Sequence, residues 1–229
     1  MRKYVVLLLG VLALALAGTA AAALVPGVFD PDGTKCPVAT YANGVLHLEK
    51  NCDTSTNASA GAEITGFDGQ TFSSASFTLA DPSQCHGGSP RFNVYTASKT
   101  FFLGCNNVTP TTNGDGSATY TFDAASIAAA GNQVDVPSGT ITGAEVLIDV
   151  QGTADLSQIV FNGVLQAPAV VPTKKADCKK GGWKAFTDPT FRNQGQCVSW
   201  VNHHSGHGKG KPTTTTTLAA THGKHGTSK

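Results

Sequence analysis

The sequence predicts an all-β protein: an antiparallel β-sandwich, jelly-roll-like, followed by a small disulfide-stapled helical segment and a disordered tail. Between residues 44 and 166, short segments rich in Thr, Val, Ile and Phe alternate with Gly, Asn and Asp turns such as the NGDG at 113–116. That region offers one short helical pattern, at 123–131, which Asp123 is placed to cap and Gly131 to end. Many short strands with little helix favour two packed antiparallel sheets over an α/β fold.

The chain opens on a stretch typical of a secretory signal peptide, which we assign to residues 1–23. Arg2 and Lys3 precede an apolar run that passes into the small residues of GTAAAA. The run is shorter than the roughly 20 apolar residues that a membrane-spanning helix needs. We therefore expect a secreted protein without a membrane span, free outside the cell or associated with its surface.

Seven strands are expected in the β domain, which we assign to residues 24–167. The alternation is clearest where Val146 and Ile148 share one face of a strand and Glu145 and Asp149 share the other. A domain of this length is large enough to bury a hydrophobic core of its own. The seven candidates are GVLHLEK, QTFSSASFTLA, PRFNVYT, KTFFLGC, SATYTFD, ITGAEVLIDVQ and QIVFNGVLQ.

All six cysteines follow the predicted signal peptide, and an even number of cysteines in an exported protein favours disulfides. Many pairings are open to six cysteines. Proximity along the chain favours the sequential set, in which each bond closes a short loop or hairpin. The expected pairs are Cys36–Cys52, Cys85–Cys105 and Cys178–Cys197.

Residues 178–204 are predicted to form a small module closed by the last of these bonds. Asn193 is a suitable N-cap for a helix whose buried face would pack on the aromatic residues before it. The face and its partners are Cys197, Trp200, Val201, His204, Trp183, Phe186 and Phe191. A disulfide stabilises so small a core by about 3 kcal/mol, since it restricts the unfolded chain.

The cysteine, histidine and aspartate residues could also form a metal site or, for cysteine, a nucleophile. A metal site would combine the two cysteines of the module with nearby histidines, but the closely spaced cysteine pair of zinc sites is missing. A cysteine nucleophile would have to escape oxidation. Asp30, Asp32 and Asp115 are candidate calcium ligands in predicted loops. We predict no cofactor and no resident metal. The residues of the alternative metal site are Cys178, Cys197, His203, His204 and His207.

The near-neutral total charge conceals two regions of opposite sign. Residues 24–171 hold four basic and thirteen acidic residues, a net charge of −9, whereas residues 172–229 hold ten and two, a net charge of +8. The asymmetry indicates a basic region that binds a polyanion, or the acidic domain of a neighbouring molecule in head-to-tail self-association. The alternative is that both regions are merely solvated.

We expect the polyanion to bind lysines of three segments: a proline-containing linker at 168–177, the module, and a disordered His/Lys/Thr-rich tail at 205–229. Teichoic acid, acidic glycans and extracellular nucleic acid have suitable charge. No specific recognition of nucleic acid is expected, because no aromatic residues interleave with the lysines. The lysines singled out are Lys174, Lys175, Lys179, Lys180, Lys184, Lys209 and Lys211.

Two short segments resemble secreted proteins of actinobacterial type, from high-GC Gram-positive and related bacteria. The pattern G-W-x-x-F followed by F-x-N-Q-G-x-C-V-S at 182–199 resembles a C-terminal segment of such proteins, here with TDPT between the two phenylalanines. CHGGSPRFNV at 85–94 resembles a loop and strand of their β domains, with His86 where glycine is common. The resemblance implies export and implies no activity.

The sequence lacks G-x-S-x-G, H-E-x-x-H and phosphate-binding glycine motifs, so no catalytic residues are predicted. We predict a non-enzymatic extracellular binding or structural protein. The alternative is a carbohydrate-binding module or carbohydrate-active enzyme, by analogy with the fold alone. Exposed aromatic residues on one face of the sandwich would favour glycan binding, and a cleft with two facing carboxylates would favour hydrolysis.

Overall fold

The computed structural model describes residues 23–131, 133–168, 171–186, 190–204 and 216–217. The predictions for the signal peptide, apart from Ala23, and for most of the tail lie outside these ranges. The strands within them are β1 Ala23–Phe29, β2 Pro37–Ala42, β3 Val45–Lys50, β4 Ser59–Thr65, β5 Ala75–Leu79, β6 Arg91–Thr96, β7 Thr100–Gly104, β8 Thr111–Thr112, β9 Ala118–Phe122, β10 Ile141–Ile148, β11 Gly152–Phe161, β12 Val164–Leu165 and β13 Thr216–Thr217. The helices are α1 Ala124–Ala129 and α2 Gln194–His204, with 3-10 turns at Pro82–Gln84, Cys105–Asn107 and Gly182–Ala185.

Two sheets form the predicted antiparallel sandwich. Sheet I has the strand order β13-β1-β4-β10-β6-β7. Sheet II has the order β2-β3-β11-β5-β9-β8, and β12 pairs with β11 at its side. The pairing of β13 with β1 is parallel, whereas the other ladders among the described residues are antiparallel.

The core lies between the sheets and is rich in phenylalanine. Phe92 of β6 is fully buried, and its ring centroid lies 5.5 Å from that of Phe77 and 6.1 Å from that of Phe161, both in sheet II. Val146 and Ile148 are buried on the core side of β10, as their alternation predicts. Burial of these side chains removes apolar surface from water and holds the two sheets together.

Six of the seven predicted strands each contain one observed strand, whereas QIVFNGVLQ spans the end of β11, a turn and β12. The strands β1, β2, β4 and β8 and most of β11 were not predicted. The segment SAGAEIT of β4 has few β-branched residues, because β10 approaches it closely. A Cβ atom on Gly61 would lie 2.7 Å from the Cβ atom of Leu147. Small residues therefore permit this pairing, although a propensity scale counts them against a strand.

Local capping follows the predictions. The Asp123 carboxylate accepts a hydrogen bond of 2.7 Å from the backbone N–H of Ser126 at the start of α1, and Gly131 follows that helix with a φ of 84°. The NGDG turn connects β8 and β9, and its last residue, Gly116, has a φ of 89°. These conformations suit Asp as an N-cap and Gly in the left-handed region.

All three predicted disulfides are present: Cys36–Cys52, Cys85–Cys105 and Cys178–Cys197. The last lies in a second hydrophobic cluster, separate from the sandwich core, with Phe186, Phe191 and Val201. Asn193 caps α2 as predicted, because its side-chain oxygen accepts a hydrogen bond of 2.9 Å from the backbone N–H of Gln196. The cysteines are therefore a structural staple.

Part of the predicted linker and tail takes ordered structure. The backbone N–H of Leu24 donates a 2.8 Å hydrogen bond to the carbonyl of Ala167, beside a bridge between Leu24 and Pro168. Thr216 and Thr217, in the tail predicted to be disordered, pair with the edge of β1, where unpaired backbone groups are available. None of the described helices has the length and apolar composition to cross a membrane.

Candidate ligand-binding surfaces

The five described lysines of the predicted polyanion site lie in one turn-rich segment before α2, residues 174–184, and all are exposed. None of them forms an ion pair with another described residue. Their ammonium groups are thus available to an external anion. Lys209 and Lys211 lie outside the described residues. The five are Lys174, Lys175, Lys179, Lys180 and Lys184.

Asp177 shapes the turn that carries these lysines. One of its carboxylate oxygens accepts 3.0 Å hydrogen bonds from the backbone N–H and the hydroxyl of Thr173 and from the backbone N–H of Lys174. Burial raises the pKa of Asp177, but these hydrogen bonds and the charge of Lys174 outweigh it and hold the pKa below its usual value. The carboxylate therefore stays ionised and bonded to the turn.

The module beneath the lysines is built from aromatic rings. The ring centroid of Phe191 lies 5.9 Å from that of Phe186 and 6.1 Å from that of Trp200. The Lys184 ammonium lies 5.4 Å from the ring centroid of Trp183, a cation–π contact. One lysine is therefore partly held in place, so the cost of ordering it on a ligand is smaller.

A second surface lies on sheet I, on the side away from the core. Arg91, Asn93 and Tyr95 alternate along β6 with the core residues Phe92 and Val94, and Asn93 is itself buried. The Asn93 amide donates a hydrogen bond of 2.8 Å to the carboxylate of Glu145 on β10. The Tyr95 hydroxyl donates a hydrogen bond to the same carboxylate oxygen. Burial, followed by the negative charge of Glu145 and this hydrogen bond, raises the pKa of Tyr95 well above its usual value. Tyr95 is therefore a neutral donor.

Arg91 extends this network to the end of β10. Its guanidinium donates to Asn93 at 2.8 Å and to the Asp149 carboxylate at 2.6 Å, and the hydroxyl of Ser89 donates to the same carboxylate at 2.8 Å. Burial raises the pKa of Asp149, but the hydrogen bonds from Arg91 and Ser89 and the charge of Arg91 hold it below its usual value. The charge of Arg91 is thus balanced within the protein.

A depression of about 320 Å³ opens beside Arg91 and is lined by Phe102, whose side chain lies on the edge strand β7. Phe102 is 51% exposed, and the Arg91 guanidinium lies 5.3 Å from its ring centroid. The rest of the lining is glycine and asparagine: Gly87, Gly88, Gly104, Asn106 and Asn107. We call Arg91, Asn93, Tyr95, Phe102, Glu145 and this depression the polar face of sheet I.

Two glutamates face each other across the ladder of this sheet. Glu63 of β4 is the direct cross-strand partner of Glu145. Glu145 is held by Asn93 and Tyr95, whereas Glu63 is exposed. Neither carboxylate lines the depression beside Phe102. The pair therefore lies on the outer surface of sheet I and not in the depression.

Sheet II carries a smaller polar cluster on its outer side. The Nδ1 atom of His47 lies 2.7 Å from the carboxylate of Asp155, and Gln84 donates to the other oxygen of that carboxylate at 3.2 Å. The backbone N–H of Asp155 in turn donates a hydrogen bond of 3.0 Å to the side-chain oxygen of Gln84. These bonds attach the 3-10 turn at Pro82–Gln84 to β11.

Several residues of the alternative metal sites have other partners in the structure. Cys178 and Cys197 are bonded to each other, which removes the thiolates that a zinc site needs. The carboxylate of Asp30 accepts hydrogen bonds from the backbone of Thr34 and Lys35, and that of Asp115 from Ser117. Across the described part of the chain, no three His, Cys, Asp or Glu residues are grouped so that they could hold a metal ion.

Comparison with protein families, with curated proteins and with solved structures finds no match to this chain.

Alternation in the sequence places Glu145 and Asp149 on the face of their strand opposite Val146 and Ile148, but it does not reveal their partners. The signal was present in β6, where RFNVYT alternates polar and apolar residues. Two strands distant in sequence had to be known as neighbours before Arg91 and Asp149 could be joined, and a single sequence does not provide that pairing.

Proposed function

We propose that the chain is a secreted, non-enzymatic binding protein that attaches to polyanions through the lysines at 174–184. The observation that carries this proposal is that five exposed lysines lie within eleven residues, three of them in the disulfide-stapled module and two just before it, and that none has an ion-pair partner among the described residues. A cluster of unpaired cations gains free energy by releasing the counterions of a polyanion.

The charge distribution along the chain also favours binding of a polyanion at the module and not at the sandwich. Residues 172–204 hold six basic and two acidic residues, a net charge of +4, whereas residues 24–171 have a net charge of −9. A polyanion is therefore attracted to the module and repelled by the sandwich. The same asymmetry supports head-to-tail self-association when no other polyanion is present.

Export is supported by several features of the chain. Three disulfides close loops of the sandwich and of the module, and such bonds persist in oxidising compartments. The N-terminal sequence is typical of a signal peptide, and the segments at 85–94 and 182–199 resemble parts of secreted proteins. Attachment to the cell surface through wall polyanions follows from this location and from the basic module.

The test is retention of the oxidised protein on beads that carry heparin or polyglycerol phosphate, two polyanions of different chemistry. We expect the double variant Lys179→Gln/Lys184→Gln to elute from both at lower salt than the native protein. The matched control is Lys35→Gln/Lys99→Gln, which removes two exposed lysines from the sandwich. Equal elution of all three proteins would refute the proposal.

A further inference from the structure

We propose that the polar face of sheet I binds a neutral saccharide, with the ring of Phe102 as the surface on which a sugar stacks. This site lies on the sandwich and uses none of the lysines of the module. It is therefore independent of polyanion binding.

Phe102 has the exposure and the support that a stacking surface needs. Half of the side chain is open to solvent, at the edge strand of the sheet. The Arg91 guanidinium packs over the ring, and Arg91 is itself fixed by Asn93 and Asp149. A ring held in one orientation loses little entropy when the apolar face of a sugar covers it.

Amide groups lie beside the ring, where sugar hydroxyls would be. Asn107 accepts a 2.8 Å hydrogen bond from the backbone N–H of Gly104 and keeps its amide NH₂ group for a ligand. The Asn106 side chain is exposed and makes no hydrogen bond to another described residue. Amides donate and accept at once, as hydroxyl groups do, and so suit a polyhydroxylated ligand.

Glycines keep the depression open. A Cβ atom on Gly104 would lie 2.5 Å from the carbonyl oxygen of Gly88, and one on Gly88 would lie 3.3 Å from the side-chain oxygen of Asn106. Gly87 and Gly88 also have φ values of 59° and 81°, which favour glycine. The volume of about 320 Å³ is at the lower end of the roughly 300–1,000 Å³ typical of ligand sites, as expected for a site that holds one or two sugar rings.

The charges of this face select against acidic sugars. Asp149 balances the charge of Arg91 at 2.6 Å, and the carboxylate of Glu145 lies on the same face. A uronate, sialic acid or sulfated sugar would therefore meet an uncompensated negative charge. Neutral hexoses and N-acetylated hexosamines carry no such penalty.

The experiment is a glycan array of neutral and acidic oligosaccharides, probed with the full-length oxidised protein and followed by calorimetric titration of the strongest neutral ligand. We expect binding to neutral glycans alone. Phe102→Ala should weaken it by about tenfold, Phe102→Tyr should retain it, and Leu165→Ala, which truncates an exposed side chain on sheet II, should leave it unchanged.

Thermal unfolding establishes that each variant is folded. If Phe102→Ala does not fold, Asn106→Ala takes its place, because that side chain is exposed and makes no internal hydrogen bond; the expected loss is again about tenfold. Absence of neutral ligands on the array, binding confined to acidic glycans, or an affinity of folded Phe102→Ala or Asn106→Ala equal to that of the native protein would overturn the proposal. Since the ligand is uncharged, the affinity should also survive Lys179→Gln/Lys184→Gln, which separates this result from the test of polyanion binding.

Discussion

The ammonium group of Lys50 lies 2.7 Å from the backbone carbonyl oxygen of Asp149. Lys50 is fully buried, and it also donates to the carbonyls of Thr54, at 3.0 Å, and Thr56, at 2.8 Å. Burial lowers the pKa of Lys50, and the negative charge of Asp149 opposes that shift. One side chain thus ties the loop after β3 to the end of β10, where Asp149 holds Arg91 of the polar face.

Replacing this lysine should therefore be costly. Lys50→Met keeps much of the apolar stem but leaves three carbonyl groups without their donor, so we expect the free energy of unfolding to fall by about 3 kcal/mol. Urea denaturation measures the change. Lys99→Met is the control, since Lys99 is exposed and its ion pair with Asp135 contributes at most about 1 kcal/mol. Equal effects of the two substitutions would contradict this role of Lys50.

The ion pair of Arg91 and Asp149 should appear in the pH dependence of stability. The pKa of Asp149 is lowered in the folded protein, so its contribution is present above the unfolded value of about 3.9 and is lost as pH falls through the folded pKa. We expect Arg91→Gln to be less stable than the native protein by about 1 kcal/mol at pH 7, a value discounted for the exposure of Asp149. The difference should shrink as pH falls below about 4. A difference that is constant from pH 7 to pH 2 would show that the ion pair is not its source.

The disulfide of the module has a selective spectroscopic reporter. Both tryptophans of the protein, Trp183 and Trp200, pack against the cluster that contains Cys178 and Cys197. The double substitution Cys178→Ala/Cys197→Ala should destabilise the module by about 3 kcal/mol, with a red shift of tryptophan fluorescence at lower urea.

The control for that measurement removes a disulfide of the sandwich. Cys36→Ala/Cys52→Ala breaks a bond between the residue before β2 and the loop after β3, outside the cluster against which both tryptophans pack. Its tryptophan emission in the absence of urea should match that of the native protein. An equal red shift in both double variants would contradict a separate module core.

A substitution at Gly104 tests the close approach between this residue and the backbone of Gly88, which together line the depression. In Gly104→Ala the new Cβ atom would lie 2.5 Å from the carbonyl oxygen of Gly88 and 3.0 Å from the side-chain oxygens of Asn106 and Asn107. We expect a loss of about 2 kcal/mol in the free energy of unfolding. Gly114→Ala is the matched control, because no atom lies within 4 Å of its Cβ position. Equal stability of the two variants would mean that the loop around Gly88 can shift to accommodate the new Cβ atom without a cost in free energy.

Features encoded by neighbouring residues were predictable. The Asp123 and Asn193 caps, the NGDG turn and the cysteine pairs each depend on a short stretch of sequence, and each is present in the structure. The alternation in β10 likewise placed Val146 and Ile148 in the core. Periodicity within a strand needs no knowledge of the neighbouring strands.

Features that depend on strand neighbours were not predictable. Lys50 resembles an exposed lysine at the end of a strand, and only the approach of β10 explains its burial. The small residues of β4 do not predict a strand from the sequence alone. Their role is explained only by the close approach of Leu147 to Gly61. The polar face likewise required β6, β7 and β10 to be adjacent, and sequence alternation does not specify strand order.

The central claim, that the lysines at 174–184 attach the protein to polyanions, is tested most directly by the salt dependence of affinity. The measurement is the association constant for a short DNA duplex, used as a polyanion of defined charge density, at several salt concentrations. The variant carries Gln at Lys174, Lys175, Lys179, Lys180 and Lys184. We expect the slope of log K against log salt to become shallower by about one for each lysine that contacts a phosphate, with a loss of affinity at low salt. An unchanged slope and affinity in the variant would contradict the claim.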